Sequence, residues 1–124
     1  MIRALLLSTM LIVLTNVAVA NEIYIDQVGD SLDLDITQDG QNNEFGDSQT
    51  DVTLEGDDMT FAITQTGDTN IINAVVKGNT YTGTWTFTGN DNRVDLLCSS
   101  TSTGNCETVT LNITTLGDDN FFEI

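Results

Sequence analysis

Gly40-Gln41-Asn42-Asn43, Gly67-Asp68-Thr69-Asn70, Gly89-Asn90-Asp91-Asn92 and Gly117-Asp118-Asp119-Asn120 are four copies of one tetrad, GxxN, and each opens a segment of β-type alternation. A pattern that returns at a roughly fixed interval marks a repeat of one supersecondary unit, and glycine-marked turns between alternating segments make that unit strand-arc-strand. The expected fold class is all-β, a β-solenoid whose two facing parallel sheets complete about 4.5 turns at ~22 residues per turn. Such a coil stacks identical side chains from rung to rung, as cross-β fibres do.

Counting in twos from the tetrads separates inward from outward places. One strand family starts with asparagine: Asn21, Ile23, Ile25, Gln27, then Asn43, Phe45, Asp47, Gln49, then Asn70, Ile72, Ala74, Val76, then Asn92, Val94, Leu96, Cys98, and last Asn120, Phe122, Ile124. The intervening family reads Leu32, Leu34, Ile36, Gln38, then Met59, Phe61, Ile63, Gln65, then Tyr81, Gly83, Trp85, Phe87, then Val109, Leu111, Ile113, Thr115. Nine strands are expected. The arcs carry Gly29, Gly40, Gly56, Gly67, Gly78, Gly89 and Gly117, where a side chain would restrict the backbone. Two arcs are longer, Gln49 to Met59 and Cys98 to Val109, and both are expected to project from one edge. Val52, Leu54 and Gly56 offer a rival register for the third strand, with Val52 inside instead of Asp47. Outward places hold mainly Asp and Thr. The alternating threonines of Thr80 to Thr88 are similar to the flat threonine rows of ice-binding solenoids, but one row is not an array, Val109 to Thr115 adds only a partial second row, and an ordinary solvated β-surface is expected.

Arg3, the apolar run Leu5 to Val13 and the small-x-small stretch Ala18-Val19-Ala20 read as a signal peptide, residues 1–20, leaving 21–124 as one exported repeat domain. Extracellular or cell-surface localisation by way of the periplasm follows. No later segment is apolar enough to span a bilayer, so an integral membrane protein is not expected. The 19 acidic residues all follow residue 20, where only Lys77 and Arg93 are cationic, giving 2 − 19 = −17 for that part. Nucleic acid is excluded as a partner. Cys98 and Cys106 are the only cysteines, and in an exported chain they predict a disulfide. Histidine is absent, which removes His-dependent triads and the usual zinc sites, and no cofactor or catalytic residue is expected. Asp57, Asp58, Asp68, Asp91, Asp118 and Asp119 in the arcs suit weak surface association of calcium rather than a formed site.

The stretches QVGDSLDLDITQ (Gln27 to Gln38), QDGQNNEFGDSQ (Gln38 to Gln49) and QTGDTNIINAVV (Gln65 to Val76) resemble the repeat of the curlins, the subunits of bacterial curli fibres, Q-x-G-x-x-N-x-A-x3-Q. The match covers most of the mature chain in period and is strictest in its first half. Val76, Phe87, Cys98 and Thr115 stand at ladder-glutamine places farther on. The resemblance implies a β-solenoid that polymerises end to end into extracellular functional amyloid of a biofilm. It also implies a partner set of further copies, another curlin-like subunit, or an outer-membrane secretion factor. The implied ladder residues are Gln27, Gln38, Gln49, Gln65, Asn43 and Asn70, more loosely Asn92 and Asn120, and Asn21 heads the same asparagine column. A stacked amide column satisfies its own donors and acceptors along the axis. The alternative is a monomeric acidic surface module that binds a glycan, ions or another cell through loops on one edge.

Overall fold

A strand that alternates apolar and polar residues can bury one face only, so this chain must bring two such faces together. A computed structural model describes residues 21–98 and 106–124, and these hold eleven strands and no helix. The expected signal peptide lies outside the described residues. One sheet of seven strands contains β1 (Asn21–Ile23), β2 (Asp26–Val28), β4 (Asn43–Phe45), β5 (Val52–Glu55), β7 (Asn70–Lys77), β9 (Asn92–Cys98) and β11 (Phe121–Glu123). A second sheet runs in the order β3 (Asp33–Asp39), β6 (Met59–Thr66), β8 (Tyr81–Thr88), β10 (Val109–Leu116). Every pairing between strands is parallel, and each strand lies beside those holding the same place one repeat away.

The inward columns of both sheets meet in one apolar core that includes Phe45, Val52, Leu54, Phe61, Ile72, Tyr81, Trp85, Phe87 and Val94. Phe61 and Tyr81, neighbouring columns of adjacent strands, bring their rings to 5.1 Å between centroids. Gly83 makes room on β8: a Cβ there would lie 2.9 Å from Tyr81 Oη and 3.2 Å from Trp85 Nε1. Parallel sheets usually need both faces covered. Here the outer faces are left to water, which the threonines and acids on them tolerate.

The arc glycines stand in two columns, Gly29-Gly56-Gly78 and Gly40-Gly67-Gly89-Gly117, one at each corner. A Cβ on Gly67 would lie 1.7 Å from the Gly40 carbonyl oxygen, and one on Gly89 would lie 1.5 Å from that of Gly67. Close stacking of arc on arc, more than an unusual φ, is therefore what requires glycine. Two residues after most of these glycines the chain turns left-handed on a non-glycine residue: Ser31, Asn42, Asp58, Thr80, Asp91 and Asp119, with φ between 53° and 62°. That residue redirects the chain into the next strand.

Two expectations need correction. Among the described residues there are eleven strands, because the first and third are each split, and the third follows neither of the registers read from the sequence throughout. Asn43 and Phe45 pair with Asn70 and Ile72 as expected, whereas Val52 and Leu54 pair with Ala74 and Val76. Asp47 and Gln49 are thereby looped out of the sheet. The asparagine column records the excess, since its successive members are 22, 27, 22 and 28 residues apart. Burying the Asp47 carboxylate in an apolar column would cost several kcal/mol, on the order of that for any unpaired buried charge. Val52 and Leu54 take those places fully buried.

Candidate functional site

The asparagine column is one continuous hydrogen-bonded ladder. Asn21 Nδ2 donates to Asn43 Oδ1 at 3.0 Å, Asn43 to Asn70 at 2.9 Å, Asn70 to Asn92 at 2.7 Å, and Asn92 to Asn120 at 2.7 Å. Each of the last four also donates back to the carbonyl of the glycine opening its own tetrad: Asn43 to Gly40, Asn70 to Gly67, Asn92 to Gly89 and Asn120 to Gly117. The GxxN spacing is thus a bond as well as a turn. Asn43, Asn70 and Asn92 are fully buried, and their amides leave no polar atom unpaired. All donors along the column point the same way, toward the C-terminus.

The glutamines are less uniform. Gln65 Nε2 donates to Gln38 Oε1 at 2.7 Å, to the Ile71 carbonyl at 3.2 Å and, more weakly, to the Asn43 carbonyl at 3.4 Å. Gln38 Nε2 in turn reaches the carbonyls of Asn21 and Glu44. The next place in this column is Phe87, which offers no donor, and Gln65 Oε1 stays buried and unpaired. Gln27 lies in the other sheet beside Leu54, donates only to the Gly29 carbonyl, and leaves its own Oε1 unpaired. Gln49 is not a ladder residue. It is exposed in the looped-out segment, whose insertion shifts Leu54 into its place.

That segment, residues 46–51, opens over the middle of the seven-stranded sheet. Most of the second long arc, residues 99–105, lies outside the described residues, and with it the expectation that the two arcs share an edge. Asp47 organises the segment by accepting from the backbone N–H groups of Gln49 at 2.7 Å and Thr50 at 2.6 Å, and from the Tyr24 hydroxyl at 2.9 Å. These bonds hold its carboxyl below the usual range, and the same hydrogen bond pushes the Tyr24 phenol up to about 12. Glu44 is raised, first by burial and then by Glu22 and Asp47 nearby. A shallow cavity of about 510 Å³ beside the segment is lined by Glu44, Asp47, Asp51, Arg93 and Asp95 among others.

Several acidic arc residues have a structural task that the sequence did not disclose. Asp30 Oδ1 accepts the Asp57 N–H at 2.9 Å, and Asp57 Oδ1 accepts the Asn79 N–H at 2.8 Å, so each side chain caps the arc stacked on it. A run of Asp or Asn just after the arc glycine was the available signal. No group of three or more ligating side chains is gathered around a metal position among the described residues. Cys98 and Cys106 form the expected disulfide, Cα to Cα 5.6 Å, and Cys106 bridges to Gly78 at the corner; the enclosed Ser99 to Asn105 loop lies outside the described residues.

The β10 and β11 end of the stack exposes side chains whose counterparts are buried in the middle, whereas Ile36 and Gln38 stay buried at the β1 to β3 end. Phe122 is 38% exposed where Val94 in the same column is 0%, and Val109 is 40% exposed where Tyr81 is 2%. Arg93 covers part of Phe121, its guanidinium 4.8 Å from the ring centroid. No helix among the described residues is long and apolar enough to cross a membrane, and the disulfide fits an oxidising compartment. No protein-family model matches the chain, and no curated protein or solved structure matches it.

Proposed function

We propose that this protein is an exported β-solenoid subunit, similar to the curlins, that stacks end to end into extracellular amyloid-type fibres of a biofilm matrix or nucleates their growth. The observation that carries the reading is the pair of open sheet edges, β10 and β11 at one end and β1 to β3 at the other, with the core-column side chains Val109 and Phe122 exposed at the first of them where the next strand would lie. Open edges of parallel sheet are templates for further strands. The amide ladder, whose donors all point one way, gives the stack a polarity and distinguishes its two ends. The role is structural, not catalytic. Calcium, in this reading, acts as a weakly associated counterion to the acidic arcs.

Fibre growth by the purified protein tests the proposal. At high ionic strength it should form dye-binding fibres with a reflection near ~4.7 Å along the axis. Protein that stays monomeric for days under those conditions rejects it.

A further inference from the structure

The outward face of the four-stranded sheet carries a two-dimensional array of threonines. The registers across β3, β6, β8 and β10 align Thr37, Thr64, Thr86 and Thr114 in one column. A second column holds Asp33, Thr60, Thr82 and Thr110, and a third holds Asp39, Thr66, Thr88 and Leu116. Thr84 stands between Ala62 and Asn112 in the fourth. On β6, β8 and β10, nine of twelve outward places are threonine and none is charged, in a chain with 19 acidic residues. The sequence displayed one complete row. The fold sets the partial row of β10 on one side of it and adds that of β6 on the other.

The array is regular for identifiable reasons. Pairing runs unbroken over eight residues from β6 to β8 and from β8 to β10, while the looped-out segment is confined to the opposite sheet. Threonine is β-branched and stiff at χ1, so its hydroxyl and methyl repeat with the backbone and need little further ordering. The hydroxyls therefore recur at about 4.8 Å between strands and about 6.6 Å along them. Hexagonal ice presents rows of oxygen atoms near both of these spacings, and water held on this lattice inherits them.

We propose that this face binds ice. A soluble ligand engages a few groups and gains nothing from two-dimensional repetition, whereas a crystal face meets every column at once. A charged side chain would hold a hydration shell incompatible with the lattice, and the outward places of β6, β8 and β10 carry none, the acids of the face being confined to β3 at its border. A second copy of the chain is the weaker candidate. Three strands of eight residues cover roughly 400 Å², about half of the ~800 Å² per partner of a stable pair. Asp33, Asp35 and Asp39 along the β3 border add repulsion between copies.

Ice-affinity partitioning of the purified protein, kept monomeric at low salt, tests this independently of fibre growth. The wild type should enter slowly grown ice and facet microscopic crystals. Thr86→Lys and Thr64→Tyr should lose both effects while keeping the parallel-sheet infrared band, and Leu97→Lys, exposed on the other sheet, should keep both. Exclusion of the wild type from ice overturns the proposal, as does partitioning by the folded threonine variants equal to that of wild type. Self-association that Thr86→Lys abolishes, without ice partitioning, also overturns it and assigns the face to a second copy.

Discussion

Asn70 sits in the middle of the amide ladder, fully buried, with Asn43 donating to it and its own Nδ2 shared among Gly67 O, Thr88 O and Asn92 Oδ1. Asn70→Ala removes those bonds and leaves the Asn43 amide and three carbonyl oxygens, those of Gly67, Thr88 and the Asn92 side chain, each short of one bond, so a loss of about 2–4 kcal/mol is expected from buried groups left unsatisfied. Asn120→Ala, at the exposed end, removes two partly solvated bonds, one from Asn92 and one to Gly117, and should cost only about 1–2 kcal/mol. Urea midpoints of the two variants decide the matter, and equal losses would refute a ladder that matters by burial. Asp47 and Glu44 give opposite pH signatures. Asp47 is held below its ordinary 3.8, so its contribution is present above that value and lost as pH falls through its lowered folded value. Glu44 is raised above 4.5, so the fold opposes its charge, and protonation relieves that opposition as pH falls toward 4.5. Stability should therefore rise slightly on acidification toward pH 4.5, and protection of the Gln49 and Thr50 amides from exchange should disappear only below 3.8. Asp47→Asn should remove the lower step, and persistence of that step would assign it to another carboxylate.

At the scale of elements, the corners and the insertion behave differently under mutation. Gly67→Ala places a methyl 1.7 Å from the Gly40 carbonyl oxygen, which belongs to backbone and cannot swing aside. It should cost at least about 3 kcal/mol, beyond the usual range of a helix or strand glycine. Deleting residues 47–51 should change stability by no more than about 1 kcal/mol, because closing a short surface loop differs little in entropy from omitting it. Thermal melts of both variants check the contrast. The same contrast explains what could be read beforehand. The tetrads, the inward columns and the corner glycines were legible because each is a short pattern in fixed phase with the strand period. The looped-out segment was not, because Asp47 and Gln49 keep the alternation formally intact, and only the cost of burying Asp47 against Val52 separates the registers. The capping by Asp30 and Asp57 was hidden for another reason: its partners lie one repeat away, and an acidic arc has the same composition whether or not its carboxylates accept bonds.

For the whole molecule, strand count and charge set the form of any assembly. The described residues give the β1-containing sheet five strand places, counting β1 with β2 and β4 with β5 as one each, and the other sheet four. A second copy in the same orientation would place Asn21 on Asn120 and continue the amide ladder, but it would leave one strand place empty in the four-stranded sheet at each junction. A copy turned by half a revolution about the stacking axis places β1 over β10 and β3 over β11, so that both sheets continue. An unfilled strand place leaves a row of backbone N–H and C=O groups unpaired on two edges, a larger loss than one interrupted side-chain column. For a unit made of the described residues, fibres should therefore show successive subunits related by about half a turn with a rise of ~20 Å, the height of four to five rungs at ~4.8 Å. Growth must also bring together chains whose residues 21–124 carry a formal charge of −17, and it should accelerate with salt and with acidification as the repulsion is screened or titrated. Helical reconstruction of fibres grown at two salt concentrations reads both quantities at once. Subunits stacked without rotation would show that the amide ladder outweighs the missing strand, and rates indifferent to salt would show that charge is not the barrier.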